Sequence, residues 1–402
     1  MTQGALPEGT RFLAPAEAAA RAAAIDVLRR LYEAWGYQRV EVPALERLDP
    51  SHPRGDKSFK LVDVGGGVLS LRSDFTPSLA RLVRSAFPAV AAGEERPLRL
   101  SYDGLVWHAI DPELARGREF TQVGIELIGV SSARADAELI HLARESVRAL
   151  GLSPRVEVGN PAYVTALFDA ACVPDEARRG LADAIDRKDQ TGVEEIVTGL
   201  SLRGPAADAL VAVPDLYGDA SVVDVALSSA PSQAASEALE RLAGVLDEFE
   251  DSSELMLDLG LARRLSYYTG VTFRAYTFDF GQPLLGGGRY DGALLPRAAG
   301  FAMGLGRVLA AVAAAGGAGD DDSSPLVVTV DDVAARRLRA GGCRVARAVS
   351  TDPQHVEREA QALGADYLVT PESTGPDRIV ALKGNAVGRN RIAALLGTGA
   401  RT

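Results

Sequence analysis

The feature that most constrains the fold is the run LRLSYDGLVWHAIDPELARGREFTQVGIELIG, residues 98–129. Two apolar-rich segments enclose the polar stretch DPELARGRE, which predicts a long hairpin of two strands joined by a loop. A hairpin of this outline can hold a nucleotide, but its first strand lacks charged groups that ATP would need. The run alone leaves open whether the site is catalytic, damaged or kept for another ligand.

Bulk composition limits the class of protein. The chain has 402 residues, of which 47% are hydrophobic and 24% charged, so it can form two or three domains with a substantial core. Its two cysteines, Cys172 and Cys343, lie far apart in the sequence and suit a reducing cytoplasm. The four scattered histidines argue against a zinc site. We therefore expect a cytoplasmic protein with no bound metal.

The sequence disfavours targeting, membrane and nucleic-acid functions. MTQGALPEGTRFLAP, the first segment, has no apolar core of the kind found in a signal peptide. Apolar runs are broken by charge or glycine before about 18 residues, so no membrane span is expected. The net charge of −11 opposes binding to a polyanion. Residues 325–402 are mildly basic but nearly lack aromatic residues, so we expect a docking or structural domain there and no nucleic-acid partner.

The pattern of apolar residues divides the chain into regions. Residues 1–315 are expected to form a core domain with an all-helical insertion at about 160–250, residues 316–325 a linker, and residues 326–402 a small domain of alternating strands and helices. Further elements are predicted in the core: a helix at 16–35, a strand at 37–45, a hairpin at 60–72 and helices at 74–86 and 133–150. Asp74 or Thr76 should cap the helix at 74–86.

The glycine-rich run GGGRYDG, residues 286–292, invites comparison with a phosphate-binding loop. It lacks the Lys and the Ser or Thr of such a loop, and it does not open a long helix. We interpret it as a tight turn between strands, with glycines that allow unusual backbone angles. A strand that turns into an apolar helix is predicted at 299–315.

Several segments, in this order, resemble the core of a class II aminoacyl-tRNA synthetase of the histidyl type. YQRVEVPAL resembles the first class motif, residues 98–129 the second, and GFAMGLGRVL the third; LARRLSYYTG and GGGRYDGAL resemble two histidine-specific motifs. The resemblance covers most of residues 5–310. It implies an α+β fold with an antiparallel sheet flanked by helices, a helical insertion and a small C-terminal α/β domain. It also implies a homodimer formed through the first motif.

Positions that the resemblance assigns to ATP are partly replaced. A synthetase has Phe-Arg-x-Glu where this chain has WHAI at 107–110, so a phosphate-binding arginine becomes His108 and an adenine-placing glutamate becomes Ile110. Imidazole is mostly neutral at pH 7 and does not replace the guanidinium fork. The second and third motifs keep arginines at Arg116, Arg118 and Arg307. We predict a degenerate ATP site, although His108 could be a variant tolerated in a working enzyme and the loop arginines could serve structural ion pairs.

Positions that the resemblance assigns to a histidine pocket are better preserved. Arg263 matches the group that meets a carboxylate, and Tyr268 with its acidic partner Glu126 matches the groups that meet an imidazole. The full predicted set is Asp74, Thr76, Arg118, Gln122, Glu126, Arg263, Tyr267, Tyr268 and Tyr290. The alternative is that the tyrosines are core residues and Glu126 is a charge on the surface of a strand.

Two groups of proteins share this outline, the histidyl-tRNA synthetases and the regulatory subunits of ATP phosphoribosyltransferase. DFTP at 74–77, in place of Glu-Gly-Thr, and RKD at 187–189 resemble the second group. We therefore predict a non-catalytic regulatory subunit without a cofactor. It would bind and activate the short catalytic subunit in the first step of histidine biosynthesis and transmit feedback inhibition by histidine.

Two other readings of the sequence stay open. The chain could be an active histidyl-tRNA synthetase, or a synthetase-like binding protein with another partner. For a regulatory subunit, the resemblance implies a hetero-octamer of four regulatory and four catalytic chains. In that assembly, histidine could bind in the pocket or at the interface with the catalytic partner.

Overall fold

The computed structural model of the chain describes residues 6–48, 58–109, 117–261, 268–316, 324–372 and 377–397. Contacts between residues divide the chain into two units, Met1–Gly317 and Ala318–Thr402. Each unit has its own sheet and its own apolar clusters.

A nine-stranded sheet forms the centre of the first unit. The strands of this unit are β1 Gln38–Arg39, β2 Leu45–Arg47, β3 Lys60–Val62, β4 Val68–Leu71, β5 Leu98–Trp107, β6 Glu119–Ile128, β7 Pro154–Gly159, β8 Tyr217–Gly218, β9 Leu255–Asp258, β10 Thr272–Thr277, β11 Phe280–Arg289 and β12 Ala298–Gly304. The large sheet has the order β1-β5-β6-β12-β11-β10-β7-β9-β8, and β2-β4-β3 form a separate small sheet. Neighbouring strands of the large sheet are antiparallel except β1 beside β5 and β7 beside β9. The predicted hairpin, β5 with β6, is confirmed.

Helices cover the sheet and build the insertion. They are α1 Pro15–Ala34, α2 Thr76–Ala86, α3 Pro88–Ala91, α4 Ala133–Ala149, α5 Pro161–Ala170, α6 Asp175–Asp186, α7 Gln190–Gly199, α8 Pro205–Ala212, α9 Ser221–Ser228, α10 Gln233–Leu246 and α11 Leu305–Ala314. The insertion, α5 to α10, is not all helical, because β8 lies within it and pairs with β9. Its apolar residues belong to the same buried cluster as those of the sheet, Leu239 and Val158 among them. Within the described ranges, no helix is long and apolar enough to cross a bilayer.

The strand predicted at 37–45 is wrong over its middle part. β1 ends at Arg39 and β2 begins at Leu45. Between them, the carbonyls of Val42 and Pro43 accept hydrogen bonds from Arg72 Nη1, at 2.7 and 3.1 Å. Pro43 also has no amide hydrogen to give to a ladder. A guanidinium from elsewhere in the chain therefore takes the place of a neighbouring strand.

The interpretation of GGGRYDG as a tight turn is also wrong. Gly286, Gly287 and Gly288 lie inside β11 and pair with both β10 and β12. A Cβ atom on Gly287 would lie 2.4 Å from the Cβ of Phe301 and 2.5 Å from the carbonyl oxygen of Gly300. The glycine is therefore required by the close approach of the neighbouring strand, a reason that the local sequence does not reveal.

Gly287→Ala should lower the free energy of unfolding by about 2 kcal/mol or more, because the added methyl group overlaps buried backbone. Gly281→Ala is the matched control, since it lies in the same strand and has nothing within 4 Å of its added Cβ. It should change stability by less than about 0.5 kcal/mol. Urea unfolding of both variants measures the difference, and equal losses would show that strand propensity and not overlap is responsible.

The second unit is a small α/β domain. Its strands are β13 Leu326–Thr329, β14 Arg344–Arg347, β15 Tyr367–Thr370 and β16 Arg378–Ala381, and its helices are α12 Asp332–Ala340, α13 Pro353–Ala362 and α14 Ala386–Leu396. The sheet order is β14-β13-β15-β16, with β16 antiparallel to β15 and the other pairs parallel. Sequence analysis missed α14, although Asn385 caps it by accepting from the Gly388 amide and Gly397 ends it in a left-handed conformation.

Candidate functional site

A cavity of about 1410 Å³ opens on one face of the nine-stranded sheet. Its floor comes from β6, β10, β11 and β12, and the start of α2 adds a wall. Asp74, Thr76, Gln122, Glu126, Tyr268 and Tyr290 all contribute to its lining. Six residues that the sequence assigned to one pocket are therefore brought together, although they come from segments far apart in the chain.

Glu126 lies at the floor of this cavity. Its side chain accepts hydrogen bonds from Thr76 Oγ1 at 2.8 Å and from the Tyr290 hydroxyl at 2.6 Å. Gly300 on the neighbouring strand makes room for it, because a Cβ there would lie 2.0 Å from Glu126 Oε2. The pKa of Glu126 is raised to about 7: burial is the largest cause and nearby Asp74 adds to the rise, while the two hydrogen bonds oppose it. The floor therefore carries a carboxyl group that changes charge near neutral pH.

Asp74 and Gln122 form the polar wall beside this carboxyl group. Gln122 Nε2 donates to Asp74 Oδ1 at 3.4 Å, and both side chains are buried. Gln122 Oε1 is also buried and has no hydrogen-bond partner in the described part of the chain. A buried polar atom without a partner costs free energy, which a polar ligand that reorganises this wall would recover.

The predicted cap of α2 is wrong. Phe75 occupies the capping position, and its side chain makes no capping hydrogen bond. The Thr76 hydroxyl instead donates to Glu126. Thr76, which the sequence suggested as a helix cap, thus forms a hydrogen bond to a residue 50 positions away in the sequence.

Arg118 lies apart from this group. Its Nη2 donates to the Ala109 carbonyl at 2.8 Å, and its guanidinium carbon lies 4.6 Å from the centre of the Phe59 ring. Its backbone nitrogen donates to the Gly9 carbonyl at 2.7 Å. Arg118 therefore ties the end of the hairpin to the N-terminal segment.

Two of the positions assigned to ATP, His108 and Arg307, also line the cavity, and both are engaged with backbone carbonyls. His108 Nε2 lies 3.1 Å from the Ser73 carbonyl oxygen, and its ring meets Phe120 edge-on at 5.1 Å between centroids. Arg307 Nη1 donates to the Pro283 carbonyl at 2.7 Å while its side chain lines the cavity. The remaining predicted site residues lie outside the described residues: Ile110, Arg116, Arg263 and Tyr267.

Sequence reasoning missed Arg72, which contacts Phe75 next to Asp74 of the polar wall. It is buried, and its Nη2 donates to the Leu105 carbonyl at 2.8 Å. Its guanidinium carbon lies 3.8 Å from the centre of the Phe75 ring. Arg72 thus fixes the start of α2 between the first two motifs. Three other lining residues of the cavity were also missed: Arg179, Leu261 and Arg274.

The chemistry of these groups suits a small polar ligand. Carboxyl, amide and hydroxyl groups converge without a cluster of three or more His, Cys, Asp or Glu that could hold a metal, as far as the structure describes the chain. Such a set of donors and acceptors orients a ligand.

Comparisons of the sequence with known proteins find one matching family and several similar relatives. The family described as histidyl-tRNA synthetase matches residues 9–308. The chain is 45% identical over 308 residues to the ATP phosphoribosyltransferase regulatory subunit of Thermus thermophilus, covering 76% of this chain and 83% of that protein. It is 41% identical over 368 residues to the protein of the same name in Deinococcus radiodurans, covering 90% and 88%.

Among solved structures, an ATP phosphoribosyltransferase regulatory subunit/histidyl-tRNA synthetase from Bacillus halodurans C superposes with a TM-score of 0.77 at 28% identity, covering 90% of this chain and 97% of that one. The histidyl-tRNA synthetase of Nostoc sp. PCC 7120 shares the fold, with a TM-score of 0.75 at 18% identity and coverage of 97% and 99%. The predicted α+β fold of the class II synthetase type is thereby confirmed. By its sequence and its fold, the chain belongs to the histidyl-tRNA synthetase-like family of ATP phosphoribosyltransferase regulatory subunits.

Proposed function

We propose that this chain binds and activates a short catalytic subunit of ATP phosphoribosyltransferase and that histidine bound in the cavity inhibits the complex. One contrast carries the proposal: the groups suited to histidine converge in the cavity, while the position of the ATP arginine is held by His108, whose ring lies beside the Ser73 carbonyl and Phe120. The names of the relatives imply a catalytic partner, and we extend that implication to this chain.

The proposed ligand pose follows from charge and hydrogen-bonding capacity. Histidine presents an ammonium group, a carboxylate and an imidazole. Asp74 is an acceptor for the ammonium group, and Glu126 with Tyr290 is a pair that can meet an imidazole nitrogen. Gln122 Oε1 gains a donor in this pose, which accounts for its lack of a partner within the described residues.

Reconstitution with a short catalytic subunit tests the proposal. The pure chain should form a larger complex on size-exclusion chromatography, raise the turnover of the catalytic subunit, and make that turnover sensitive to histidine. Unchanged elution and turnover would contradict the proposal and favour a synthetase-like protein with another partner. Activation without histidine sensitivity would reject only the effector part.

We also propose that two copies of the chain pair near the first motif. The small sheet there exposes a cross-strand pair, Val62 and Val68, and Val64 at its turn. Val62 is 80% exposed, which is unusual for a paired apolar residue in a strand of a monomer. A second copy that covers this sheet would remove the apolar surface from water.

Val62→Glu should therefore convert a dimer into a monomer in sedimentation or light scattering, because an unpaired carboxylate would be buried at the interface. Val225→Glu is the matched control, since Val225 is an exposed valine of α9 in the insertion. It should leave the dimer intact. A wild-type monomer, or a Val62→Glu dimer of unchanged stability, would contradict pairing through this sheet.

A further inference from the structure

Lys188 occupies a position that lysine rarely takes. It follows the end of α6 with a φ of +58°, and its amide donates to the Ile185 carbonyl at 3.0 Å. At such a helix end the left-handed residue is usually glycine, because a side chain disfavours this backbone conformation. Cys172 and Ser201 take similar angles after α5 and α7, so the contacts of the Lys188 side chain, and not its backbone angle alone, distinguish this position.

The ammonium group of Lys188 reaches the nine-stranded sheet. It forms an ion pair with Asp258, which ends β9 and whose side chain is 9% exposed. The same carboxylate oxygen accepts the Gly260 amide at 2.8 Å. Lys188 also lies 5.5 Å from the centre of the Tyr217 ring. One carboxylate therefore joins the insertion to the turn that follows β9.

That turn forms part of the cavity wall. The Leu261 amide donates to the Asp258 carbonyl at 3.3 Å, and Leu261 lines the cavity. A Cβ on Gly159 would lie 2.3 Å from the Asp258 carbonyl oxygen, so the turn sits directly on the end of β7. Arg179, near the start of α6, also lines the cavity. The first part of α6 thus contributes Arg179 to the cavity lining. Lys188, which follows the end of this helix, is connected through Asp258 to the turn that carries Leu261.

We propose that Lys188 is a positioning residue that connects the helical insertion to the end wall of the cavity. Its ammonium group holds Asp258, and Asp258 holds the turn that presents Leu261. A ligand that fills the cavity presses on this wall, and the ion pair transmits the displacement to α6. This route rests on the proposed function only where the ligand is histidine; the positioning of the turn does not depend on it.

Lys188→Gly tests the proposal without imposing backbone strain, because glycine accepts a positive φ. The Gly260 and Leu261 amides should exchange hydrogen about tenfold faster, since the Asp258 carboxylate loses its counter-charge, while exchange in β5 and β6 should not change. Arg178→Met is the matched control: it removes a cation of the same helix that pairs with Asp169 at 2.7 Å within the insertion. Unchanged exchange at Gly260 in Lys188→Gly, or equal acceleration in Arg178→Met, would overturn the proposal.

Two further measurements separate positioning from general destabilisation. The double variant Lys188→Gly/Asp258→Asn should exchange hydrogen at the Gly260 and Leu261 amides no faster than Asp258→Asn alone. This is the result expected for two residues that act through one contact. By calorimetry, Lys188→Gly should weaken histidine binding about tenfold. If the wild-type chain does not bind histidine, the proposed effector role fails, and the exchange data alone decide the role of Lys188.

Discussion

ATP–pyrophosphate exchange by this chain in the presence of histidine should be at least about a thousandfold slower than in an active histidyl-tRNA synthetase. Adenylate formation needs fixed cations at the α-phosphate, and the loss of one such donor costs about a hundredfold to a thousandfold in rate. His108 stands where that cation would be, and its ring lies 3.1 Å from the Ser73 carbonyl oxygen. An imidazole that is engaged with a carbonyl oxygen and packed on Phe120 is a poor partner for a phosphate, because it lacks the guanidinium fork of arginine.

The control for this measurement is histidine binding in the same preparation. Calorimetry should detect histidine binding to the chain that shows no exchange, which would demonstrate an intact pocket and separate lost chemistry from misfolding. Exchange at the rate of a normal synthetase would reject the regulatory proposal and restore the alternative of a tRNA-charging enzyme.

Glu126→Gln should abolish a pH dependence of stability that the wild-type chain shows between about pH 4.5 and 7. Burial raises the pKa of Glu126 from 4.5 to about 7, so in this range the folded chain keeps a proton that the unfolded chain has released. The contribution of Glu126 to stability must then fall as pH rises from about 4.5 to about 7 and level off above, with a total loss on the order of 3 kcal/mol. Glutamine does not titrate and still offers an oxygen to Thr76 or Tyr290.

Urea unfolding at several pH values measures this slope. Glu119→Gln is the control, since Glu119 is an exposed carboxylate at the start of the same strand and accepts from Trp107 Nε1. It should keep the slope of the wild type. If Glu126→Gln also keeps that slope, another buried group is responsible, and the floor of the cavity does not change charge near neutral pH.

The parts of the fold that follow from local pattern could be predicted from sequence. The hairpin at 98–129 and the strand–helix unit at 298–314 depend on runs of apolar residues that any context would keep in strands or helices. The convergence of Asp74 with Gln122 and Glu126 in one cavity could be predicted only through the resemblance, because nothing in their spacing brings the start of α2 onto β6.

The features that could not be predicted depend on contacts between distant residues. GGGRYDG has the local composition of a turn, yet Phe301 and Gly300 on another strand decide that Gly287 must lack a side chain. The middle of the first motif has the alternating pattern of a strand, yet its carbonyls accept hydrogen bonds from Arg72 instead of from a neighbouring strand. Arg118 has the charge for a ligand, but Ala109 and Phe59 engage it.

The position of β12 between β6 and β11 has a consequence for biosynthesis. The strand at 298–304 joins the part of the sheet that contains β5 and β6 to the part that contains β7, β9, β10 and β11. A ribosome must therefore release about three quarters of the chain before the two halves can combine. Until then each half exposes a strand edge, which is a site for pairing with other nascent chains. Late closure of the sheet therefore keeps these edges unpaired until the last central strand has emerged.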